Sequence, residues 1–265
     1  MSTFVKEGLD ALDARLSELD TLLSEAALHL DSNEKLYKAL CRASQVLLIS
    51  HFEGYIKDFV KDSLEDINYY SSFKRSGNKL KFTYCEHFFT PTPDGKINEK
   101  RIFELIEVLD NLSPKFDKRY FLYENNKNPK ESIIETITKR FGEDSFFKKL
   151  NNSLLQNVFS NTDQENKTLR DTLKAELTSY VDSYPYALPD DFLRIDLSNP
   201  TTEKFWETYL SEALKRRHEI AHGSTDNTIS HTMIENEKTR LEILIYAFTG
   251  LICKKCNPIT TATIV

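Results

Sequence analysis

A shortage of glycine and proline constrains this chain more than any other feature. It has seven Gly and eight Pro in 265 residues, which is about half the usual Gly share and clearly below the usual Pro share. Because Gly and Pro interrupt helices most strongly, their scarcity favours a helical protein. A hydrophobic content of 40% with 29% charged residues excludes a disordered chain and is enough for a sizeable core.

The spacing of apolar residues predicts two long helices in the first seventy positions. Between residues 3 and 30 they recur at intervals of three and four: Leu9, Leu12, Leu16, Leu19, Leu22, Leu23, Ala26 and Leu30. A break at 31–33 precedes a second helix, predicted from Glu34 to about Tyr70. This helix is apolar on nearly every side over residues 46–52, which is typical of a central, buried helix.

The pattern of apolar residues and turn signals changes over residues 73–199, and we interpret this segment as an insertion. The alternation over residues 79–84 predicts a strand of a short β-hairpin, and residues 91–95 have turn chemistry. Helical spacing covers residues 98–111, 131–141, 144–159 and 166–183. The insertion is therefore predicted to be mostly helical.

Two more helices are predicted after this insertion. Residues 198–203, with Ser198, Thr201 or Thr202 near the cap and Glu203 in the first turn, form a start signal for a helix over 203–222 that ends at Gly223. A last helix is expected over 229–254. We therefore predict an all-α fold, a four-helix bundle interrupted in its middle. Residues 1–72 would supply bundle helices 1 and 2, residues 200–256 would supply helices 3 and 4, and residues 257–265 would form a tail.

Charge and hydropathy exclude several classes of protein. The net charge of −6 argues against a non-specific coat protein of duplex DNA, although a local basic site is compatible with it. No apolar run approaches the roughly 18 to 20 residues of a membrane helix, and Lys6 stands where a signal peptide would be apolar. We expect a cytoplasmic protein without membrane contact.

The four cysteines are too few and too scattered for a disulfide scaffold, which fits a reducing compartment. Cys253 and Cys256 form a CxxC pair, but no second pair or nearby His completes a metal site. We expect no metal and no cofactor.

The residues with chemical potential lie at the end of the helix predicted over 203–222. On a helical wheel Arg217 falls on the same face as four apolar residues: Leu210, Ala213, Ile220 and Ala221. A guanidinium keeps its charge on burial, so it must meet carboxylates, carbonyls or a ligand anion. Arg217 is therefore either part of a structural ion pair, or at a bundle end, or a ligand-binding residue.

Two interpretations of the neighbouring histidines are open. His218, Glu219 and His222 spell HExxH, the zinc peptidase motif, whose third ligand would have to come from Glu235, Glu237 or Glu242. Arg216 and Arg217 would then lie unfavourably beside a divalent cation.

The second interpretation combines Arg217 with His222. Their directions differ by about 140° on a regular helix, so the two can converge only at a frayed end or across a two-fold axis. Gly223 supplies a helix end, and the helix C-terminus favours the charged imidazole.

Two segments carry a resemblance to a known superfamily. Residues 217–223, Arg-His-Glu-Ile-Ala-His-Gly, resemble the R-polar-x-x-x-H motif of the HEPN superfamily (higher eukaryotes and prokaryotes nucleotide-binding). Residues 50–57, Ser-His-Phe-Glu-Gly-Tyr-Ile-Lys, are similar to the aromatic-Glu-Gly-aromatic stretch of bacterial HEPN proteins of the RiboL-PSP type. The resemblance covers 1–72 and 200–255 and leaves the insertion unmatched. His218 stands where Asn is commoner, and Phe52 where Trp is frequent.

The resemblance implies a metal-independent endoribonuclease whose site forms when two subunits bring their motifs together. His222 would handle the proton of a ribose 2′-OH, and Arg217 would stabilise the charged phosphorane. The products would be a 2′,3′-cyclic phosphate and a 5′-hydroxyl. The expected partners are RNA, a second copy of the chain and an antitoxin or other regulatory protein, since the family commonly supplies toxins and antiviral effectors.

The remaining assignments have structural alternatives. Arg216 and His218 are candidate supporting residues; Glu53 either supports the site or pairs structurally with Arg216 or Arg217, and His51 supports the site or is a core residue. The lysine-rich segment 74–81 either tracks an RNA backbone or is a solvated loop. For the whole chain, a non-catalytic HEPN module that binds RNA or nucleotides, a helical scaffold and a zinc peptidase are the alternatives.

Overall fold

Every regular element of the chain is helical in the computed structural model, which describes residues 2–91, 97–122, 129–223 and 229–258. The α-helices in these ranges are α1 (Phe4–Leu28), α2 (Glu34–Tyr70), α3 (Asn78–Glu86), α4 (Glu99–Leu112), α5 (Glu131–Phe141), α6 (Phe146–Asn151), α7 (Asp163–Val181), α8 (Phe205–Ala221) and α9 (His231–Cys256). Short 3₁₀ segments lie at 73–75, 118–120 and 154–159. The prediction of an all-α fold is confirmed. None of these helices is long and apolar enough to cross a membrane.

The helix at the centre of the core is α9. Its residues 241–253 are all buried, and it packs against α2 and α7, while α1 pairs with α2 along its length. Gly250 allows a close approach, because a Cβ there would lie 2.2 Å from a ring carbon of Phe192. Helix α2 is central as well, since it packs against α1, α8 and α9, but the prediction that it is buried on nearly every side over residues 46–52 is wrong, because Ser50 is exposed.

A buried carboxylate fixes the start of α1. Asp66 of α2 accepts hydrogen bonds from the backbone N–H groups of Phe4 (2.9 Å) and Val5 (3.1 Å) and from the hydroxyl of Tyr186 (2.7 Å). These bonds satisfy donors that the first turn of a helix leaves unpaired. They also tie α1 and α2 to the segment that follows α7.

The predicted strand over 79–84 is wrong, because these residues form α3. Leu80, Lys81 and Tyr84 are buried together, which is helical rather than alternating burial. Lys81 is enclosed because its ammonium group donates to Asp110 of α4 at 2.7 Å. The described residues contain no strand, so no hairpin forms within them, and most of the predicted turn at 91–95 lies outside them.

The other helices of 73–199 follow the predicted spacing. The segments expected at 98–111, 131–141 and 166–183 correspond to α4, α5 and α7, and the one at 144–159 divides into α6 and a 3₁₀ segment. Helix α7 packs against α9 and α1, so it belongs to the same core. The division of the chain at 73 and 199 stays a prediction.

Helix α8 begins later than its sequence signal indicates. Lys204 occupies the N-cap position without a capping side chain, so the predicted cap at Thr201 and Thr202 is wrong. Asn151, at the end of α6, takes that role, because its Oδ1 accepts from Trp206 N–H at 3.2 Å; Asn152 holds the segment before α8 by accepting from Thr201 N–H at 2.6 Å. The end is as predicted, with Gly223 at a φ of 89°, a left-handed conformation that suits glycine.

Asp62 on α2 is a carboxyl group whose environment disfavours its charge. It faces α1 closely, since a Cβ at Gly8 would lie 2.7 Å from its Oδ2. Burial is the main reason that its pKa rises from 3.8 to about 7, and the charges of Asp58, Glu65 and Asp66 add to the effect. The folded protein therefore binds this proton more tightly than the unfolded chain.

The resulting stabilisation is present below pH 4 and is lost as the pH rises through 7. We expect Asp62→Asn to be more stable than wild type at pH 8 by about 1 kcal/mol, since solvent screens a partly buried carboxyl, or about 2–4 °C in Tm. Thermal melts between pH 4 and 8 measure this, with exposed Asp31→Asn as the matched control. Equal pH profiles for Asp62→Asn and wild type would contradict the assignment.

Candidate active site

The two adjacent arginines of α8 have different partners. Arg216 Nη2 lies 3.0 Å from Glu237 Oε2 of α9, and Glu237 Oε1 accepts a hydrogen bond from Gln45 Nε2 of α2 at 3.0 Å. The hydroxyl of Tyr209 donates to the backbone carbonyl of Glu237 at 2.8 Å. Glu237 is only 5% exposed. Arg216 therefore belongs to a buried polar network that joins α8, α9 and α2.

Arg217 faces Glu53 of α2. Their closest approach is 3.8 Å, between Arg217 Nη2 and Glu53 Oε2, which is too long for a hydrogen bond. The side chains are 24% and 17% exposed, so both groups are largely removed from water without being closely paired. Arg217 Nε and Glu53 Oε1 are buried atoms that have no hydrogen-bond partner among the described residues.

The pKa of Glu53 reflects this arrangement. Burial raises it above the usual value, and the positive charges of Arg217 and Lys57 oppose the rise. Sequence reasoning identified Glu53 as a partner of Arg216 or Arg217, and the structure places it beside Arg217. Lys57, one helical turn further along α2, is a third member of this group that sequence reasoning missed.

The two histidines occupy the exposed last turn of α8. His222 is the C-cap residue, its N–H donates to the carbonyl of His218 at 3.0 Å, and both side chains are exposed. The centroids of the two rings lie 4.2 Å apart. The helical wheel also predicted core positions at Ile220 and Ala221, which is wrong: Ile220 is half-buried and Ala221 is exposed. The core covered by α8 ends at Leu214.

His51 has a different environment from Glu53. Burial is the main cause that lowers the pKa of His51. Two charged residues of α1 also affect this pKa: Arg15 lowers it further, and Glu18 raises it. Its Nε2 is buried without a hydrogen-bond partner among the described residues. The contacts therefore associate His51 with α1 rather than with Arg217.

Two of the three carboxylates that could complete a zinc peptidase site have other contacts. Glu237 binds Arg216 and Gln45, and Glu242 binds Arg170 at 3.2 Å. In the described part of the chain, no three His, Cys, Asp or Glu side chains are grouped as metal ligands. In the CxxC pair, burial of Cys253 and Cys256 raises the pKa of both thiols.

The signals for the polar network were weak in the sequence. Glu237 was considered only as a zinc ligand, and Gln45 is a neutral residue within an apolar helix. A charged residue near the start of α9, on a helix that is otherwise almost completely buried, was the one available sign that a cation must face it.

One comparison with known proteins finds a match, and it is to a family. The family model described as RiboL-PSP-HEPN matches residues 10–174. No curated protein and no solved structure matches the chain. The match includes much of the segment interpreted as an insertion and ends before α8, so its extent differs from the expected resemblance at 1–72 and 200–255. The roles of Arg217 and His222 therefore depend on their geometry and motif.

The different surroundings of the two arginines predict different effects on stability. Arg216→Ala leaves the buried Glu237 carboxylate without its cation and should cost about 2 kcal/mol of unfolding free energy. Arg217→Ala removes a longer contact between two partly exposed side chains, so we expect a loss under about 1 kcal/mol. Urea unfolding of the two variants and wild type at pH 7 measures the difference. Equal losses for both variants would contradict the division of roles.

Proposed function

Since the chain belongs to the RiboL-PSP-HEPN family, we propose that it is a metal-independent endoribonuclease whose site lies at the C-terminal end of α8. Arg217 and His222 would be the catalytic residues, and Glu53, His218 and Arg216 the supporting ones. The observation that carries the proposal is the contrast along one helix. Arg216 is held in a buried network, whereas Arg217 is loosely paired and His222 is exposed.

The chemistry needs a base, an acid and a cation. The 2′-OH of a ribose attacks the adjacent phosphorus after losing its proton to His222, and the 5′-oxygen of the next nucleotide leaves with a proton from an acid. Arg217 offsets the negative charge of the phosphorane, for which its unbonded Nε–H and planar guanidinium are suited. The products carry a 2′,3′-cyclic phosphate and a 5′-hydroxyl.

Glu53 has a definite role in this scheme. Its carboxylate keeps the guanidinium of Arg217 oriented in the free enzyme, and the 3.8 Å separation is long enough for a phosphate to replace it as the partner. The raised pKa of Glu53 makes it easier for this carboxyl to become neutral when a phosphate enters.

A second copy of the chain would complete the site. Arg217 and His222 diverge on one helix, so two subunits related by a two-fold axis would bring the arginine of one close to the histidine of the other. The last turn of α8 offers a suitable surface, since Ala221 is exposed and Ile220 is half-buried. As a toxin or antiviral effector, such a cytoplasmic dimer would need a regulatory protein.

A non-catalytic RNA-binding module is the second candidate. The observation in its favour is the Glu53 carboxylate, which already offsets the charge of Arg217. Such a module would bind RNA through the same helix end without turnover.

Cleavage in chelator tests the proposal. Wild type should cleave total RNA in EDTA, and Arg217→Ala and His222→Ala should each slow cleavage by at least about 100-fold. His29→Ala, which changes a histidine at the end of α1, is the matched control and should cleave normally. RNA binding without cleavage by wild type would favour the non-catalytic module, and cleavage abolished by EDTA would exclude the metal-independent mechanism.

Mixed dimers test the shared site. If Arg217 of one subunit acts with His222 of the other, mixing Arg217→Ala with His222→Ala subunits under exchange conditions should restore part of the cleavage rate. Each mixed dimer keeps one intact pair across the axis. Light scattering of wild type should give the mass of a dimer. A monomer that cleaves at an undiminished rate on dilution would contradict the composite site.

A further inference from the structure

The lysine-rich segment 74–81 is a charged feature that the proposed mechanism does not use. Lys81 contributes no free charge, because it is buried against Asp110 at 2.7 Å. Lys74 and Arg75 are exposed, and Lys79 is half-exposed. These side chains therefore reach the surface on the 3₁₀ turn 73–75 and at the start of α3.

The fold brings cations of α5 next to Lys79. A Cβ at Gly142, the C-cap of α5, would lie 3.2 Å from Lys79 Cβ. Lys79, Lys139 and Arg140 line an open groove of about 400 Å³ between α3 and α5. The groove also presents the hydroxyl-bearing residues Thr83 and Thr136 and one carboxylate, Glu86.

A buried carboxylate gathers two more cations. Glu143, whose side chain is 3% exposed, pairs with Lys149 of α6 and with Lys255 at the end of α9, the latter at 3.5 Å. The backbone of Lys255 also approaches Gly77, since a Cβ there would lie 3.8 Å from the Lys255 carbonyl oxygen.

Arg75 reaches the same end of α9. Burial raises the pKa of Tyr184, and the nearby positive charge of Arg75 opposes that rise. The hydroxyl of Tyr184 donates to the carbonyl of Cys256 at 2.7 Å. Six cations from four parts of the chain thus lie on neighbouring elements, and we name them the basic face: Arg75, Lys79, Lys139, Arg140, Lys149 and Lys255.

We infer that the basic face binds the phosphate backbone of the RNA substrate, at a distance from the cleavage site. The inference rests on the proposed function. Its support is the charge distribution: the chain as a whole carries −6, yet here the six cations outnumber the carboxylates Glu86, Glu143 and Asp190 that line the same surface, and Asp190 is already paired with Lys254. Lys139 is exposed and forms no ion pair within the described ranges, so it can bind a phosphate without breaking a contact.

The distance between the basic face and the cleavage site sets the length of RNA that can contact both. Arg216, the neighbour of Arg217, pairs with Glu237 near the start of α9, whereas Lys255 lies at the opposite end of that helix. At about 1.5 Å per residue these positions are about 27 Å apart. With about 3.4 Å per stacked nucleotide, an RNA must extend about eight nucleotides to contact both regions of one subunit.

Binding of RNA to a cleavage-deficient background tests the inference. In the His222→Ala protein, we expect Lys79→Gln with Lys139→Gln to weaken binding of an RNA of about thirty nucleotides by about tenfold. The slope of log affinity against log salt should become shallower by about 1.4, which corresponds to two lost phosphate contacts. The matched control is Lys35→Gln with Lys100→Gln, two exposed lysines of α2 and α4 that do not belong to the basic face, and it should bind as the background does.

Cleavage separates this inference from the proposed function. In the wild-type background, the Lys79→Gln, Lys139→Gln pair should lower kcat/KM for the long RNA and leave cleavage of a tetranucleotide unchanged. Thermal melts establish that the pair is folded, and single variants replace it if it is not. Equal binding by the pair and its control would overturn the inference even if RNA is cleaved, and failure of wild type to cleave would count against the proposed function alone. Binding of polyglutamate as tightly as RNA would also overturn it, in favour of an acidic protein partner.

Discussion

The buried carboxylate of Glu237 is the interaction on which the site depends. It binds Arg216 at 3.0 Å and Gln45 at 3.0 Å, so a single group joins α8, α9 and α2. Because a buried charge without a partner is costly, this network strongly favours one rotation of α8 about its axis. Once Arg216 is directed towards α9, the helical geometry directs Arg217, the next residue, towards α2.

The surroundings of Arg217 differ from those of Arg216 in a way that suits binding. Glu53 lies beyond hydrogen-bond distance, one oxygen of Glu53 and one nitrogen of Arg217 are unbonded within the described residues, and burial raises the pKa of the carboxyl. Arg216 also has an unbonded Nε, so the difference between the two arginines lies in Nη2, which in Arg216 binds Glu237 at 3.0 Å. The proposal that Arg217 binds an anionic ligand rests on this loose pairing beside an exposed histidine.

Much of the fold could be predicted from the sequence because the long helices have regular apolar spacing. The bounds of α2 agree with the prediction at Glu34 and Tyr70, and the stop at Gly223 follows from its left-handed conformation. The start of α8 could not be predicted, because the side chain that caps it belongs to Asn151, some fifty residues earlier in the chain. The strand prediction at 79–84 failed for a similar reason, since burial of Lys81 requires Asp110 of another helix.

The candidate site was predictable in its residue types but not in its pairing. The motif identified Arg217 and His222, and the apolar surroundings of Glu53 indicated that it needed a cation. Which arginine binds Glu53 is decided by the position of Glu237, which no local pattern contains.

The ends of the RNA products test the central claim most directly. If His222 and Arg217 act on the 2′-OH and the phosphorane, mass spectrometry of RNA cleaved in EDTA should find 2′,3′-cyclic phosphates and 5′-hydroxyls, and neither should form with His222→Ala. Products with 3′-hydroxyls and 5′-phosphates, or cyclic ends that persist in the His222→Ala protein, would contradict the account.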